Sequence, residues 1–394
     1  MLTDTSSKKK LPLIFLSIFL FATAIGIDVV TFPTLLSAHG IEATKIGIAS
    51  TFEVMASIIM SFLLAKIVAR FGLFKSLFTN SIIYAAAIAL IFFYRNFYLW
   101  LAIIFSMGAC WFACTIMRQA WLNIVATDKK RGIINGIYSM IISAGLALGP
   151  VFVKFLGAEN YISFLVSSLL VLASIVVLIP LKNSTLTKID SKKIPLKTFF
   201  KNNPRCFLGR FFLDLQCYCL MVFTVIFGKK IGLTPEQAGL LFTAYMASGF
   251  FDVFVGFLLK KNSAYKIINI GFLGCLICFT TVSVISLKSL SLLAIQHHEN
   301  LYKLLLLIYF LFGMSVACIY VAVMTLTNSD YQKENLIAAN STLQVIGSSG
   351  SLFGGLIGGI SIQIFGASGF PIAIIFSCIC YLTFFVIYEK KFAK

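Results

Sequence analysis

Twelve apolar stretches of about 20 residues or more follow one another along this chain, and they restrict its fold more than any other feature. A helix of that length and composition spans the hydrocarbon core of a bilayer. The chain is 59% hydrophobic and 12% charged, whereas soluble domains are about 25% charged. One soluble core cannot hold this much apolar surface. The stretches predict membrane-spanning helices at residues 12–36, 46–69, 74–94, 98–125, 133–157, 161–181, 206–228, 237–259, 265–287, 303–327, 336–365 and 370–389.

A polar, lysine-rich segment divides the apolar stretches into six and six. We therefore predict an all-α membrane protein with a six-helix N-terminal bundle over 1–181, a cytoplasmic linker over 182–204 and a six-helix C-terminal bundle over 205–394. The halves repeat short patterns, such as Gly40–Gly47 and Gly232–Gly239. An even number of spans per half gives parallel repeats related by an axis along the membrane normal. In that plan the substrate site lies at the repeat interface near the bilayer midplane.

The net charge of +18 would suit a nucleic acid, but its distribution indicates membrane topology instead. With both termini in the cytoplasm, 23 of the 32 Lys and Arg fall in inner loops and ends, and 7 fall in outer segments. This asymmetry follows the positive-inside rule. We therefore expect cytoplasmic termini, contact with the lipid bilayer and no nucleic-acid partner. Short loops and frequent Lys and Ile favour a bacterial inner membrane.

The first apolar stretch follows Lys8, Lys9 and Lys10, as a signal peptide would. It is too long for the apolar region of a signal peptide, and no small-residue cleavage site follows it. We expect an uncleaved first helix.

All ten cysteines fall within or beside apolar stretches. A metal site would need nearby His or more thiolates, and the three histidines, His39, His297 and His298, lie in predicted outer loops. Buried Cys acting as a small apolar residue is the simpler interpretation. We expect no metal and no cofactor, and an ion gradient as the energy source.

Glycines and a proline recur at fixed spacing in the fifth stretch, at Gly136, Gly145, Gly149 and Pro150. Gly145 and Gly149 are four residues apart and share a face, where two helix backbones can approach closely. Pro150 removes a backbone hydrogen bond and bends the helix. Gly136 lies roughly 180° around the helix from Gly145, so we expect it to serve another contact.

The chain resembles the major facilitator superfamily over essentially its full length. After the second stretch, Arg70, Gly72 and Lys75 fit the family's G-x3-D-R-x-G-x-[RK]-[RK] loop, while Ala65 and Ala69 replace its Gly and Asp. The resemblance implies a twelve-helix transporter that works by alternating access as a monomer. It also implies a gating role for these three loop residues.

The fifth stretch matches G-x8-G-x3-G-P, a motif typical of antiporters in that family. Gly350 and Gly354 are the counterparts of Gly145 and Gly149 in the eleventh stretch. The family's basic residue in the fourth helix is replaced by Ile104. The motif in the fifth stretch slightly favours export, by exchange of a small organic solute for protons, and the replacement at Ile104 departs from the family pattern. Uptake of amino acids, organic acids or sugars by proton symport is the alternative, as is lipid flipping. An enzyme is not expected, because no His lies in a span and no phosphate-binding motif is present.

Ionisable side chains within membrane spans are costly and mark functional sites by default. The candidates for substrate binding and proton coupling are Asp28, Glu53, Arg118, Asp214 and Asp252. Asp28 and Glu53 are predicted at similar depth on neighbouring helices, where two carboxylates can share a proton or attract a cationic solute. The alternative is that one of them faces a solvated outer vestibule.

The remaining candidates allow more than one role. Arg118 suits an anionic group, a pairing with an acid of the first two stretches, or a gate facing the cytoplasm. Arg210 precedes Asp214 by four residues, a helical spacing that favours an ion pair. Asp252 is then left to titrate or to pair with Arg210.

Overall fold

The computed structural model describes residues 4–93, 96–125, 131–182, 195–289, 298–331 and 333–392. Within those ranges every regular element is a helix. Eleven stretches are long and apolar enough to cross a membrane. The last of them, Ala339–Tyr388, holds two helices separated by the 3₁₀ turn Gly366–Ser368. The prediction of an all-α membrane protein with twelve spanning helices is confirmed.

The described residues of the first half of the chain contain six α-helices. They are α1 Asp4–Ala38, α2 Ala43–Phe71, α3 Leu73–Ile91, α4 Phe97–Val125, α5 Arg131–Leu156 and α6 Tyr161–Val176. Gly72 separates α2 from α3 with a φ of 81°, a backbone conformation that glycine adopts without steric cost. The glycine of the predicted loop motif is therefore required by the turn itself.

In the second half, the part of the chain that the structure describes contains eight α-helices. They are α7 Leu196–Asn202, α8 Pro204–Lys230, α9 Pro235–Ala247, α10 Phe251–Leu258, α11 Ala264–Ser289, α12 His298–Asp330, α13 Lys333–Phe365 and α14 Gly369–Phe392. Helix α7 lies inside the predicted linker, of which residues 183–194 fall outside the described residues.

The predicted span at 237–259 is two helices rather than one. Helices α9 and α10 are joined by the 3₁₀ turn Ser248–Phe250. Within this turn the Ser248 hydroxyl donates to the Tyr245 carbonyl at 2.6 Å. Gly249, at the centre of the turn, weakens the helix.

The chain divides into two compact units. Unit 1 holds Met1–Gly40 and Phe52–Ile189, and unit 2 holds Ile41–Thr51 and Asp190–Lys394. The start of α2, which lies in unit 2, packs on α13. The Thr44 hydroxyl lies 3.5 Å from the Gly359 carbonyl, and the Thr51 hydroxyl lies 3.4 Å from the Leu352 carbonyl.

Each unit repeats the same helix pairing. In unit 1, α1 packs extensively against α5 and also contacts α6. In unit 2, α8 packs in the same way against α13 and also contacts α14. The first membrane-spanning helix of each half, α1 or α8, therefore has the fifth and sixth spanning helices of that half as its neighbours. This is expected for two repeats of one six-helix plan.

Candidate functional site

A buried carboxylate and two hydroxyl groups form a polar cluster inside unit 1. Asp28 of α1 is 4% exposed. The Tyr84 hydroxyl of α3 donates to its Oδ2 at 2.9 Å, and the Ser167 hydroxyl of α6 donates to its Oδ1 at 2.6 Å. We call these three residues the Asp28 cluster. Among the residues that the structure describes, Asp28 forms no ion pair.

The helix geometry of α1 explains why Asp28 points into the bundle. Gly26 faces α5, because a Cβ there would overlap the backbone of Leu146 and Gly149. Asp28 follows two residues later and therefore lies roughly 200° around the helix. That direction faces α3 and α6 instead of α5. Asp28 is thus enclosed by its own unit, and it does not face a solvated vestibule in this structure.

Tyr84 and Ser167 were not among the site residues predicted from the sequence. One signal for Ser167 is present in the sequence. Ser163, Ser167 and Ser174 recur at intervals of four and seven along the otherwise apolar α6, so they share one face. All three are fully buried. A stripe of serines on one face of a membrane helix indicates a polar partner on a neighbouring helix.

Glu53 lies on α2, within electrostatic reach of Asp28. The Glu53 carboxylate interacts electrostatically with the Asp28 carboxyl group. The Glu53 side chain is half-buried. Its backbone lies directly against Gly108 of α4, where a Cβ would overlap the Glu53 carbonyl. The structure therefore places both predicted acids in unit 1, one enclosed and one partly accessible.

Arg118 of α4 is 1% exposed and is held by neutral groups. It donates from Nε to the Ser17 hydroxyl at 3.0 Å, from Nη2 to the Ser174 hydroxyl at 2.7 Å and from Nη1 to the Cys114 carbonyl at 3.2 Å. Its guanidinium also lies 4.1 Å from the centre of the Phe21 ring. The considered pairing with an acid of the first two helices is not formed here. Instead, Arg118 connects α4 to α1 and α6.

The ion pair predicted in the second half is present within α8. Arg210 Nε lies 2.7 Å from Asp214 Oδ2, and the two side chains are 9% and 18% exposed. The two opposite charges therefore form a mostly buried ion pair. The pair lies against the backbone of Gly347, where a Cβ would overlap the Asp214 carboxylate.

Replacing Asp214 with leucine should leave the Arg210 charge buried without its anion. Removing one partner of a buried pair costs about 3 kcal/mol of folding free energy. We expect a clear fall in the thermal midpoint of the purified protein. The double variant Asp214→Leu with Arg210→Met removes both charges and should recover most of the loss. A single variant as stable as the wild type would show that the pair does not stabilise unit 2.

Asp252 lies on α10 and is half-buried. It lies near Cys318 of α12, and in the described part of the chain it forms no ion pair. Because Arg210 is occupied by Asp214, the alternative pairing of Arg210 with Asp252 is not formed. Asp252 is the candidate proton site of unit 2.

The glycines at fixed spacing lie at close helix contacts within each unit. Gly145 and Gly149 lie against α1, and Gly350 and Gly354 lie against α8, where in each case a Cβ would overlap backbone atoms. Gly136 differs, since a Cβ there would have nothing within 4 Å. The second contact expected at Gly136 is therefore not formed in this structure.

The remaining conformational candidates lie near helix ends or within a helix. Arg70 is in the last turn of α2, with its guanidinium 5.4 Å from the centre of the Phe71 ring. Arg70 and Lys75 are both exposed. Pro150 lies inside α5, directly after Gly149. The two cations are thus accessible at the turn between α2 and α3.

Among the described residues, no group of three or more His, Cys, Asp or Glu is arranged to hold a metal ion. The cysteines are free thiols, eight buried and two half-buried.

Twelve apolar helices in two units with the same internal pairing are the architecture of a membrane transporter built from two parallel repeats. The sequence model described as Major Facilitator Superfamily matches residues 14–286 and 206–393. The chain belongs to the major facilitator superfamily, and it is therefore a transporter and not an enzyme.

Solved transporter structures share the fold. The nucleoside transporter NupG is 12% identical with a TM-score of 0.76, over 98% of this chain and 99% of that one. A POT family transporter in complex with 5-aminolevulinic acid is 12% identical with a TM-score of 0.76, over 98% and 97%. A bacterial homolog of the human lysosomal transporter Spinster, inward-facing and unoccupied, is 15% identical with a TM-score of 0.70, over 98% and 96%. At these identities the similarity concerns the fold alone. No curated protein matches by sequence.

Proposed function

We propose that this protein is a secondary active transporter that moves a small organic solute by alternating access, coupled to protons through Asp28. The observation that carries the proposal is the Asp28 cluster. A carboxyl group in a membrane span with hydroxyl partners and no fixed cation can exist with or without a proton. A proton carrier must be stable in both states, and a carboxylate fixed in an ion pair, such as Asp214, is poorly suited to that role.

We propose that Glu53 couples binding of the solute to the protonation of the Asp28 cluster. It is the more accessible of the two acids, and its charge acts on Asp28. A cationic solute that binds beside Glu53 would favour release of the Asp28 proton, because a nearby positive charge stabilises the ionised carboxylate of Asp28. Exchange of a proton for a cationic solute is therefore the mode of coupling that we favour. The antiporter-like spacing of Gly136, Gly145, Gly149 and Pro150 supports export as its direction.

Proton-coupled uptake of amino acids, organic acids or sugars is the second candidate, and lipid flipping is the third. Uptake of an organic acid would need a cation that the solute can reach. Arg118 is almost fully buried and already donates to three neutral groups, so it is not available to an anion in this structure. The burial of Arg118 therefore disfavours an organic acid as the solute and favours a cationic or neutral one.

We further propose that the protein lies in a bacterial inner membrane, with both termini in the cytoplasm, and that it functions as a monomer. The positive-inside distribution of Lys and Arg supports the orientation. The pairing of six helices in each unit supports a monomer, since one chain supplies both repeats.

Accumulation of labelled compounds in liposomes tests the function. Purified protein is reconstituted, and cationic drugs, amino acids and organic acids are offered under a pH gradient of either sign. Antiport predicts that a cationic compound accumulates in vesicles that are acidic inside and that a protonophore abolishes the accumulation. Accumulation driven by the opposite gradient would indicate symport. Accumulation independent of either gradient would contradict proton coupling.

A further inference from the structure

Ser167 lies between two acceptors that belong to the same turn of α1. Its Oγ is 2.6 Å from Asp28 Oδ1 and 3.1 Å from the carbonyl oxygen of Ala24. A serine hydroxyl has one proton to donate and two lone pairs that accept, so it cannot donate to both acceptors at once. Ala24 precedes Asp28 by four residues, and its carbonyl is the helical acceptor for the Asp28 backbone N–H.

We propose that Ser167 is a positioning residue that holds the Asp28 carboxyl group in one place in both protonation states. The inference rests on the proposed proton-carrying role of Asp28. When Asp28 is ionised, Ser167 donates its proton to Oδ1, and the Ala24 carbonyl keeps its helical bond. When Asp28 carries a proton on Oδ1, the carboxyl O–H donates to Ser167 Oγ. Ser167 then turns its own proton toward the Ala24 carbonyl.

This exchange needs only a rotation of the Ser167 hydroxyl. Both acceptors are already within hydrogen-bond distance, so no heavy atom has to move. Each state has one donor for each bond, which avoids an unpaired buried polar group and its desolvation cost. The proton can therefore arrive and leave without disturbing the contact between α1 and α6.

Tyr84 makes the two oxygens of Asp28 inequivalent. Its hydroxyl donates to Oδ2 at 2.9 Å and can do so whether or not Oδ1 carries a proton. A phenol has a single proton to donate, and that proton is directed at Oδ2. Ser167 also donates a single proton, but it can turn that proton to the Ala24 carbonyl and then accept from Oδ1, so we assign the transported proton to Oδ1.

Few other titratable groups act on this carboxyl group. Glu53 of α2 and Tyr84 of α3 act on Asp28. Arg118 of α4 contacts Phe21, about two turns away along α1. From α5, Gly149 faces the opposite side of α1, at Gly26. From α6, the group that contacts the Asp28 carboxyl is the hydroxyl of Ser167.

Removing the Ser167 hydroxyl should change the pH at which Asp28 titrates. A hydrogen bond to a charged carboxylate is worth more than one to a neutral carboxyl group. Ser167→Ala therefore penalises the ionised form more than the protonated form. The midpoint of Asp28 titration should move to higher pH by about one unit.

Infrared difference spectroscopy of the full-length protein in liposomes, recorded across a pH titration, tests this directly. The carboxyl band that disappears in Asp28→Asn reports Asp28. We expect Ser167→Ala to shift the midpoint and the position of that band, and Ser167→Thr, which keeps the hydroxyl, to restore both. Ser168→Ala is the matched control, since the buried Ser168 hydroxyl donates to the Ala85 carbonyl at 2.9 Å instead of to an acid.

The outcomes separate this inference from the proposed function. A titrating Asp28 band that is unchanged in Ser167→Ala would overturn the role of Ser167 and leave the proton site standing. A spectrum without any band that depends on Asp28 would overturn both. Ser167→Cys keeps the volume but donates weakly, and it should shift the midpoint in the same direction as alanine. It therefore serves if the alanine variant does not fold.

Discussion

Replacing Gly149 with alanine is expected to destabilise the protein by at least about 2 kcal/mol and to reduce transport strongly. The new Cβ would overlap the backbone of Gly26 on α1. Backbone atoms on both sides leave no flexible side chain that could move aside, so α1 and α5 must separate. Thermal unfolding of the purified variant measures the first effect, and solute uptake by liposomes measures the second.

Gly136→Ala is the matched control on the same helix. Nothing lies within 4 Å of the Cβ that this variant would add, and alanine favours a helix over glycine by about 1 kcal/mol. We expect stability equal to or slightly above that of the wild type. Gly354→Ala should repeat the Gly149 result, because it faces Leu215 of α8 in the same way. Equal behaviour of Gly136→Ala and Gly149→Ala would show that the close approach of α1 and α5 is not required.

Asp28→Asn is expected to abolish gradient-driven accumulation, with a loss of about 100-fold or more, because a carboxyl group at this buried position is the proposed proton carrier. Asparagine has nearly the same shape, and its amide oxygen can accept from one of the two hydroxyl groups that contact Asp28 while its amide N–H donates to the oxygen of the other, so the fold should be kept. An amide cannot bind and release the proton. Initial rates of uptake under an imposed pH gradient measure the effect, with thermal unfolding as the check on folding.

Glu53→Gln is the comparison for Asp28→Asn. Glu53 is half-buried and is proposed to attract the solute. Its replacement should therefore weaken the apparent affinity for the solute more than it weakens the coupling of transport to protons. Full gradient-driven accumulation in Asp28→Asn would remove Asp28 from the mechanism. The proton site would then be sought at Glu53 or Asp252, since Asp214 is held by Arg210.

The sequence predicted the helices well because their signal is local. Length and apolar composition suffice to place a membrane span, and the predicted stretches correspond to the observed helices. The Arg210–Asp214 pair was predictable for the same reason, since both residues belong to one helix and the four-residue spacing brings them together. The break between α9 and α10 was not predicted, because the apolar pattern continues through it.

The partners of Asp28 could not be predicted in this way. Tyr84 and Ser167 are 56 and 139 residues away in the sequence. A helical spacing indicates which face a side chain occupies, but it does not indicate which helix packs against that face. The placement of Arg118 has the same origin, since Ser17 and Ser174 are 101 and 56 residues from it. For both residues, the sequence showed that an ionisable side chain lies within a membrane span. Only the packing of the helices determined which groups contact that side chain.

Proton movement triggered by a solute would show whether Asp28 couples transport to protons. Liposomes that hold the wild-type protein and an internal pH dye receive the compound that accumulates best, and Asp28→Asn liposomes receive it in parallel. In wild-type liposomes, solute entry should raise the internal pH, because antiport moves protons out as the solute moves in. In Asp28→Asn liposomes, the internal pH should not change. Solute entry with no pH change in the wild type, or an unchanged pH response in Asp28→Asn, would contradict the role of Asp28 as proton carrier.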